Sequence, residues 1–394
     1  MRLESAQELK QRLLTDIIIP LAAHATRVRV AGARAVATAA VAGAEPLAVF
    51  GVGARPFDKV PQIQRSVALG VARHQGEYRL AVRVQRPALL HSPMLEHVRL
   101  QAKGEVEIRV VGRIDKRATR VRAATAATAH AATPWYQRDM RPLLIGASVG
   151  HYKVTAGTTG AFLKRGTRTY LLSNNHVLAN EDNAKSGDWI LQRAAYDGGK
   201  QPAERVARLR YWVRLKKTSA NLVDCAVGEI QDGIPCDASL LRGIVAGADR
   251  HLAGVGPGFL DVGATVYKIG RTTGVTEGRV TAFDLDNVVV NYDVGNLRFD
   301  GQVEIEGIGT HSFSDGGDSG SLIVDGDIQA GLEEPQGDAL VVGAGRRHHE
   351  VCHRSPSTRR RPPRRRPYGG SKPSERLLAS GSPAWRGTTP SRST

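Results

Sequence analysis

The sequence predicts a mainly β protein: two antiparallel six-stranded β-barrels preceded by a small α/β domain. From Arg141 to Val342, short apolar or alternating runs are separated by Gly-rich turns, and almost no helical period appears. That stretch holds about 200 residues, enough for two six-stranded barrels. The 43 glycines and the many Val/Ile/Leu/Thr runs favour strands and turns over helix.

The elements follow in chain order. Ser5 and Glu8 have capping-box spacing, and Leu9, Leu13, Leu14 and Ile17 recur at helical spacing, which predicts a helix over about residues 5–18. Residues 30–53 are Ala/Val/Gly-rich and give no assignable pattern. Val67–Val71, Tyr78–Val84 and Glu105–Val111 read as strands, completing an N-terminal α/β domain over residues 1–116. Residues 117–140, with Ala-Ala-Thr repeats and then Pro134, read as a linker. In the following domain, residues 141–345, the strand candidates are Gly160–Leu163, Thr169–Leu172, Val223–Ile230, Thr265–Ile269, Arg279–Phe283, Val288–Tyr292, Val303–Ile305 and Ser321–Val324. Residues 346–394 lose this patterning and are expected to be disordered, because scattered apolars cannot offset the entropy of ordering.

The formal net charge of +17 is unevenly spread. Residues 346–394 carry twelve Arg and one Lys against Glu350 and Glu375, so the body before them is only mildly basic. Nucleic-acid binding is therefore not expected, except weakly through the tail. Aromatic residues make up 5%, too few for a base-stacking surface. Cys225, Cys236 and Cys352 form neither a disulfide framework nor a zinc pattern, although one Cys225–Cys236 bond is conceivable. No metal or cofactor is implied. The N-terminus lacks signal-peptide features, and the apolar run around Ile17–Ala23 is short and broken by Pro20. A soluble, cytoplasmic protein is expected, with no membrane contact; its oligomeric state is not legible.

Three motifs carry chemistry. In Gly317-Asp-Ser-Gly320, Ser319 is a candidate nucleophile. Gly317 lets the chain turn so that the Gly317 and Ser319 N–H groups aim at one developing negative charge. His176 ends an apolar strand, in Ser173-Asn-Asn-His-Val-Leu-Ala179. Asp224 lies between Leu222-Val223 and Ala226-Val227, where a carboxylate needs a hydrogen-bonding partner. An imidazole N–H would meet that need and fix the tautomer of the histidine. His311, Asp188, Asp232 and Asp237 stand in less suitable contexts. The order is His, Asp, Ser, with gaps of 48 and 95 residues, as in chymotrypsin-type enzymes rather than subtilisins or α/β-hydrolases.

With these motifs, residues 141–324 resemble a chymotrypsin-fold serine peptidase, close to the bacterial relatives of the narrow-leaf plant protease. The resemblance is carried by Gly157–Ala161, Leu172–Ala179, Val223–Ala226, Lys268–Gly274 and Gly317–Ile323, and more weakly by residues 66–113. It implies a serine endopeptidase acting on protein or peptide substrates. The implied triad is His176, Asp224 and Ser319, the implied oxyanion hole is Gly317 and Ser319, and the site lies in a cleft between the barrels. Phe313 and Ser314, before the nucleophile, would line the pocket for the substrate side chain, and the lack of an acid there suggests a small or apolar residue. The motif at Lys268–Gly274 reads as structural.

The sequence departs from the family after Ser319. Glu333, Glu334 and Pro335 interrupt the strand expected there. Asp338–Gly343 offers one replacement strand, and no second candidate is visible. Three readings stay open: a genuine basic extension, an incomplete barrel, or a reading frame shifted near residues 328–345, the last being favoured. The alternative to an enzyme is a catalytically impaired protease fold that binds peptides or proteins.

Overall fold

The structure is a computed structural model. It describes residues 1–18, 67–116, 133–252, 254, 260–309 and 312–325, with the backbone of two further strands at 339–341 and 350–353. The fold is mainly β. Helix α1 (Leu3–Leu13) opens the chain and continues as one π-helical turn, Leu14–Ile18. It starts two residues before the predicted cap: Arg2 is the N-cap, and Ser5 lies inside the helix. Strands β1 (Val67–His74) and β2 (Glu77–Val84) form a hairpin with Val67 opposite Val84. Helix α2 (Pro93–Gln101) then crosses over to β3 (Val106–Val110), which lies parallel to β2. Sequence reading missed α2, although Ser92-Pro93 marks its start: Ser92 Oγ accepts the Leu95 N–H, and Pro follows as the first helical residue. Strand β4 (Ile114–Asp115) ends this region.

Next come β5 (Ser148–His151), β6 (Gly157–Thr158), β7 (Ala161–Arg165), β8 (Arg168–Ser173), the single-turn α3 (Asn175–Leu178), β9 (Trp189–Leu191), β10 (Arg205–Trp212) and β11 (Ala226–Ile230). They form one sheet in the order β6-β5-β9-β10-β11-β8-β7. Its two ends are consecutive in the chain, since β6 runs through Thr159 and Gly160 into β7. Leu171, Val177, Ile190, Val206 and Leu209 pack as its core.

After β12 (Leu240–Val245) and β13 (Ala248–His251) come β14 (Thr265–Gly270), β15 (Gly274–Asp286), β16 (Val288–Tyr292), β17 (Gly295–Phe299), β18 (Gln302–Gly307) and β19 (Leu322–Asp325). β14 and β18 pair with β15, and β19 with β14. β1 also pairs with β15, at Leu69–Asp286 and Val71–Phe283, so the N-terminal strands and the C-terminal strands share one sheet. A separate small sheet joins β17, β16 and β4.

Two short strands follow. β20 (Ala339–Val341) pairs with β19, inside the replacement segment read from the sequence. β21 (Glu350–His353) pairs with β18. The expectation that no second strand candidate exists fails there. Val351 and Cys352 are too few to show a period, and the strand is defined by its neighbour instead. The remaining tail lies outside the described residues. Cys225 and Cys236 are free thiols, so the conceivable bond is not formed. Among the described residues, no helix is long and apolar enough to cross a membrane.

Candidate active site

β8 delivers the chain to His176. Ser173 ends the strand opposite Ala226, the first residue of β11, and α3 begins two residues later. Asp224 sits two residues before β11 begins. Its loop is docked on β17, because Asn221 N–H donates to Arg298 O and Asp300 N–H to Asn221 O. The Asn221 side chain also clasps the Lys216 backbone in both directions.

His176 Nδ1 and Asp224 Oδ2 are 2.5 Å apart. Asp224 is 1% exposed, so its charge must be met by donors, and several are present. Oδ1 accepts the N–H groups of Asn175 (2.6 Å) and His176 (3.3 Å). Oδ2 accepts the Tyr292 hydroxyl at 2.7 Å as well as the imidazole N–H. The carboxylate thus fixes the tautomer with Nδ1 protonated, leaving Nε2 as an acceptor. Beside Asp224, burial and then its charge push the Cys225 thiol up to about 11, which favours the protonated thiol at neutral pH.

Ser319 lies in the loop between β18 and β19. Its carbonyl accepts Thr158 N–H at 2.8 Å, and the Thr158 carbonyl accepts Ser173 Oγ at 2.7 Å. A Cβ on Gly320 would lie 2.0 Å from Ser173 Oγ, which shows how tightly the Ser319 loop abuts the end of β8. His176 Nε2 and Ser319 Oγ are both buried and have no hydrogen-bond partner among the described residues. One is an acceptor in the tautomer set by Asp224; the other is a donor. Gly317 has φ of +100°, the left-handed region that glycine enters freely. Neither the Gly317 nor the Ser319 N–H donates to an acceptor among the described residues.

The loop is held from below by Asp318. Its Oδ1 accepts Thr272 and Thr273 N–H (2.7 and 3.1 Å), and its Oδ2 accepts Asp315 N–H, Thr273 Oγ1 and Lys268 Nζ. Sequence reasoning missed this role for Lys268 and Asp318, although a lysine inside the apolar run Val266–Ile269 was a signal of a buried partner. It missed Tyr292 as well, because a tyrosine in a strand reads as core.

The other candidates take different places. Asp188 pairs with His151, and Asp237 caps the turn at Ser239 and Leu240. Arg271, within the Lys268–Gly274 motif read as structural, is buried against Asp197. Phe313 is 1% exposed and packs with Val280, Ile305 and Ile323, a core position beneath the loop; Ser314 is also buried. His311 lies outside the described residues. Among the described residues, no cluster of three or more His, Cys, Asp or Glu side chains is placed to hold a metal ion.

No family model matches the chain, and no curated protein matches it. Solved structures similar to it include serine proteases of low identity. One is a glutamic acid specific serine protease that uses a histidine triad in substrate binding: 19% identity, 54% of this chain, 93% of that chain, TM-score 0.37. Protease A of Thermobifida fusca gives 14% identity over 54% of this chain and 91% of its own, with TM-score 0.36. A Cellulomonas bogoriensis chymotrypsin gives 16% identity over the same shares, with TM-score 0.34.

Proposed function

We propose that the chain is a serine endopeptidase of the chymotrypsin type, related to the narrow-leaf protease group, with two barrels flanking the site. The observation that carries this reading is the Asp224–His176 pair at 2.5 Å, together with two buried and complementary atoms, His176 Nε2 and Ser319 Oγ, that have no hydrogen-bond partner among the described residues. Nε2 takes the Ser319 hydroxyl proton as Oγ attacks the scissile carbonyl, and Asp224 stabilises the imidazolium that forms. The Gly317 and Ser319 N–H groups receive the oxyanion. His176 then returns the proton to the leaving amine, and a water molecule deprotonated by the same nitrogen hydrolyses the acyl-enzyme. Phe313 and Ser314 back the pocket for the substrate side chain, and the absence of an acid at either position favours a small or apolar one.

A fluorophosphonate probe tests the reading, because only an activated serine reacts with it. Wild-type protein should be labelled at Ser319. Ser319→Ala and His176→Ala should each lower peptide hydrolysis by about 10⁶ while the circular dichroism spectrum is kept. Wild-type protein that folds but neither labels nor cleaves would leave a peptide-binding module instead.

A further inference from the structure

We infer that Tyr292 is a positioning residue for the Asp224–His176 pair, held in place by residues 114–116 of the N-terminal region. This rests on the catalytic reading above. The Tyr292 hydroxyl donates to Asp224 Oδ2 at 2.7 Å, the same oxygen that faces His176 Nδ1. The Tyr292 ring also meets the imidazole edge to face, with centroids 5.7 Å apart and planes at 81°. One side chain therefore touches both partners: it orients the carboxylate through a hydrogen bond and the imidazole through its ring. On its other side the ring stacks on Phe299 at 5.9 Å, so it cannot swing away. Burial, and then the nearby Asp224 charge, hold the phenol pKa well above its ordinary value, so the hydroxyl stays a donor.

Tyr292 ends β16, and the N-terminal region grips that strand. β4 runs parallel to β16 with Ile114 beside Val290 and Asp115 beside Asn291. Lys116 N–H donates to Asn291 O at 2.8 Å. Lys116 Nζ then bridges Asp293, at 2.7 Å, and Glu181. Glu181 is buried and accepts the Asp293 and Val294 N–H groups at 3.3 and 2.9 Å. It lies three residues after α3, the turn that carries His176. Residues on both sides of Tyr292 are thereby tied to the histidine segment, and Lys116 closes the tie. The N-terminal region, which shows no chemistry of its own in the sequence, braces the dyad.

The test uses the full chain with Tyr292→Phe and Lys116→Met. Tyr292→Phe should lower kcat by about 10- to 100-fold with KM unchanged, the size of one hydrogen bond to a charged group. Lys116→Met should lower kcat in the same sense by about threefold, since it loosens the tie and leaves the hydroxyl in place. The second readout is the His176 Nδ1–H proton resonance, assigned by its loss in His176→Ala; it should shift or broaden in both variants. Unchanged kcat and an unchanged resonance in Tyr292→Phe, with an active wild type, would overturn the positioning role and leave the peptidase reading standing. A wild type with no serine reactivity whose resonance still shifts in Tyr292→Phe would overturn the peptidase reading and leave the positioning role. If Tyr292→Phe fails to fold, Lys116→Met decides, and an unaltered kcat and resonance there overturn the inference.

Discussion

Lys268 Nζ lies 3.1 Å from Asp318 Oδ2, with the two side chains 1% and 0% exposed. The pair joins β14 to the residue before Ser319, so the Ser319 loop rests on a buried charge pair. Losing one member strands the other without a countercharge, at about 3–5 kcal/mol. Lys268→Met should lower the urea midpoint accordingly and slow fluorophosphonate labelling, because Gly317 and Ser319 lose their support. A variant with wild-type stability and labelling would show that the four other donors to Asp318 suffice.

Gly270 ends β14 directly under the same carboxylate. A Cβ there would lie 2.3 Å from Asp318 Oδ1 and 2.8 Å from Lys268 Nζ. Lys268 Nζ ends a flexible side chain and can give way, but Asp318 is pinned by three backbone N–H groups. Gly270→Ala should therefore cost about 1–3 kcal/mol, as overpacking does, and depress kcat through the displaced loop. Thermal unfolding and steady-state kinetics on the same preparation test both parts.

Asp224→Asn should lower kcat by about 10⁴ through the wrong imidazole tautomer. The structure adds a stability effect. Both carboxylate oxygens face donors, from Asn175, His176 and Tyr292. An amide must turn its NH₂ toward at least one of them, leaving buried donors unpaired at about 1–3 kcal/mol. A fall in melting temperature together with the lost activity is expected. Asp188→Asn should spare activity; the reverse pattern would mean that the wrong acid had been chosen.

The strands and motifs that the sequence revealed are local signals. Thr265–Ile269 and Val288–Tyr292 match β14 and β16 because their apolar runs are bounded by turns. Gly317–Gly320 holds its candidate nucleophile and both candidate oxyanion donors within four residues. What stayed hidden is non-local. Lys268 and Asp318 are 50 residues apart, Tyr292 and Asp224 are 68 apart, and nothing in either neighbourhood names the partner. The pairing of β1 with β15 was equally invisible: a strand's pattern shows that it has a buried face but not which strand lies beside it. β21 shows the converse, a segment without pattern drawn into a strand by β18.

His151 gives the chain a pH dependence apart from the candidate site. The ring is buried; Nδ1 accepts the Lys153 N–H at 3.2 Å, and Nε2 faces Asp188 Oδ2 at 3.1 Å. Burial lowers its pKa below the ordinary value, and the Asp188 carboxylate only partly offsets this. The native state therefore leaves this histidine neutral at pH values where the unfolded chain, with an ordinary pKa of about 6.5, has protonated it. Stability rises with pH wherever the unfolded state binds more protons. The contribution of His151 is thus complete above the ordinary histidine range and is lost as pH falls from about 6.5 toward the depressed native value. His151→Gln keeps a donor toward Asp188 and removes the titration. Urea midpoints at about pH 7.5 and pH 5.5 should fall more steeply for wild type than for the variant, which itself should be the less stable of the two at the higher pH. Parallel slopes for both proteins would show that His151 takes up its proton in the folded state as readily as in the unfolded chain.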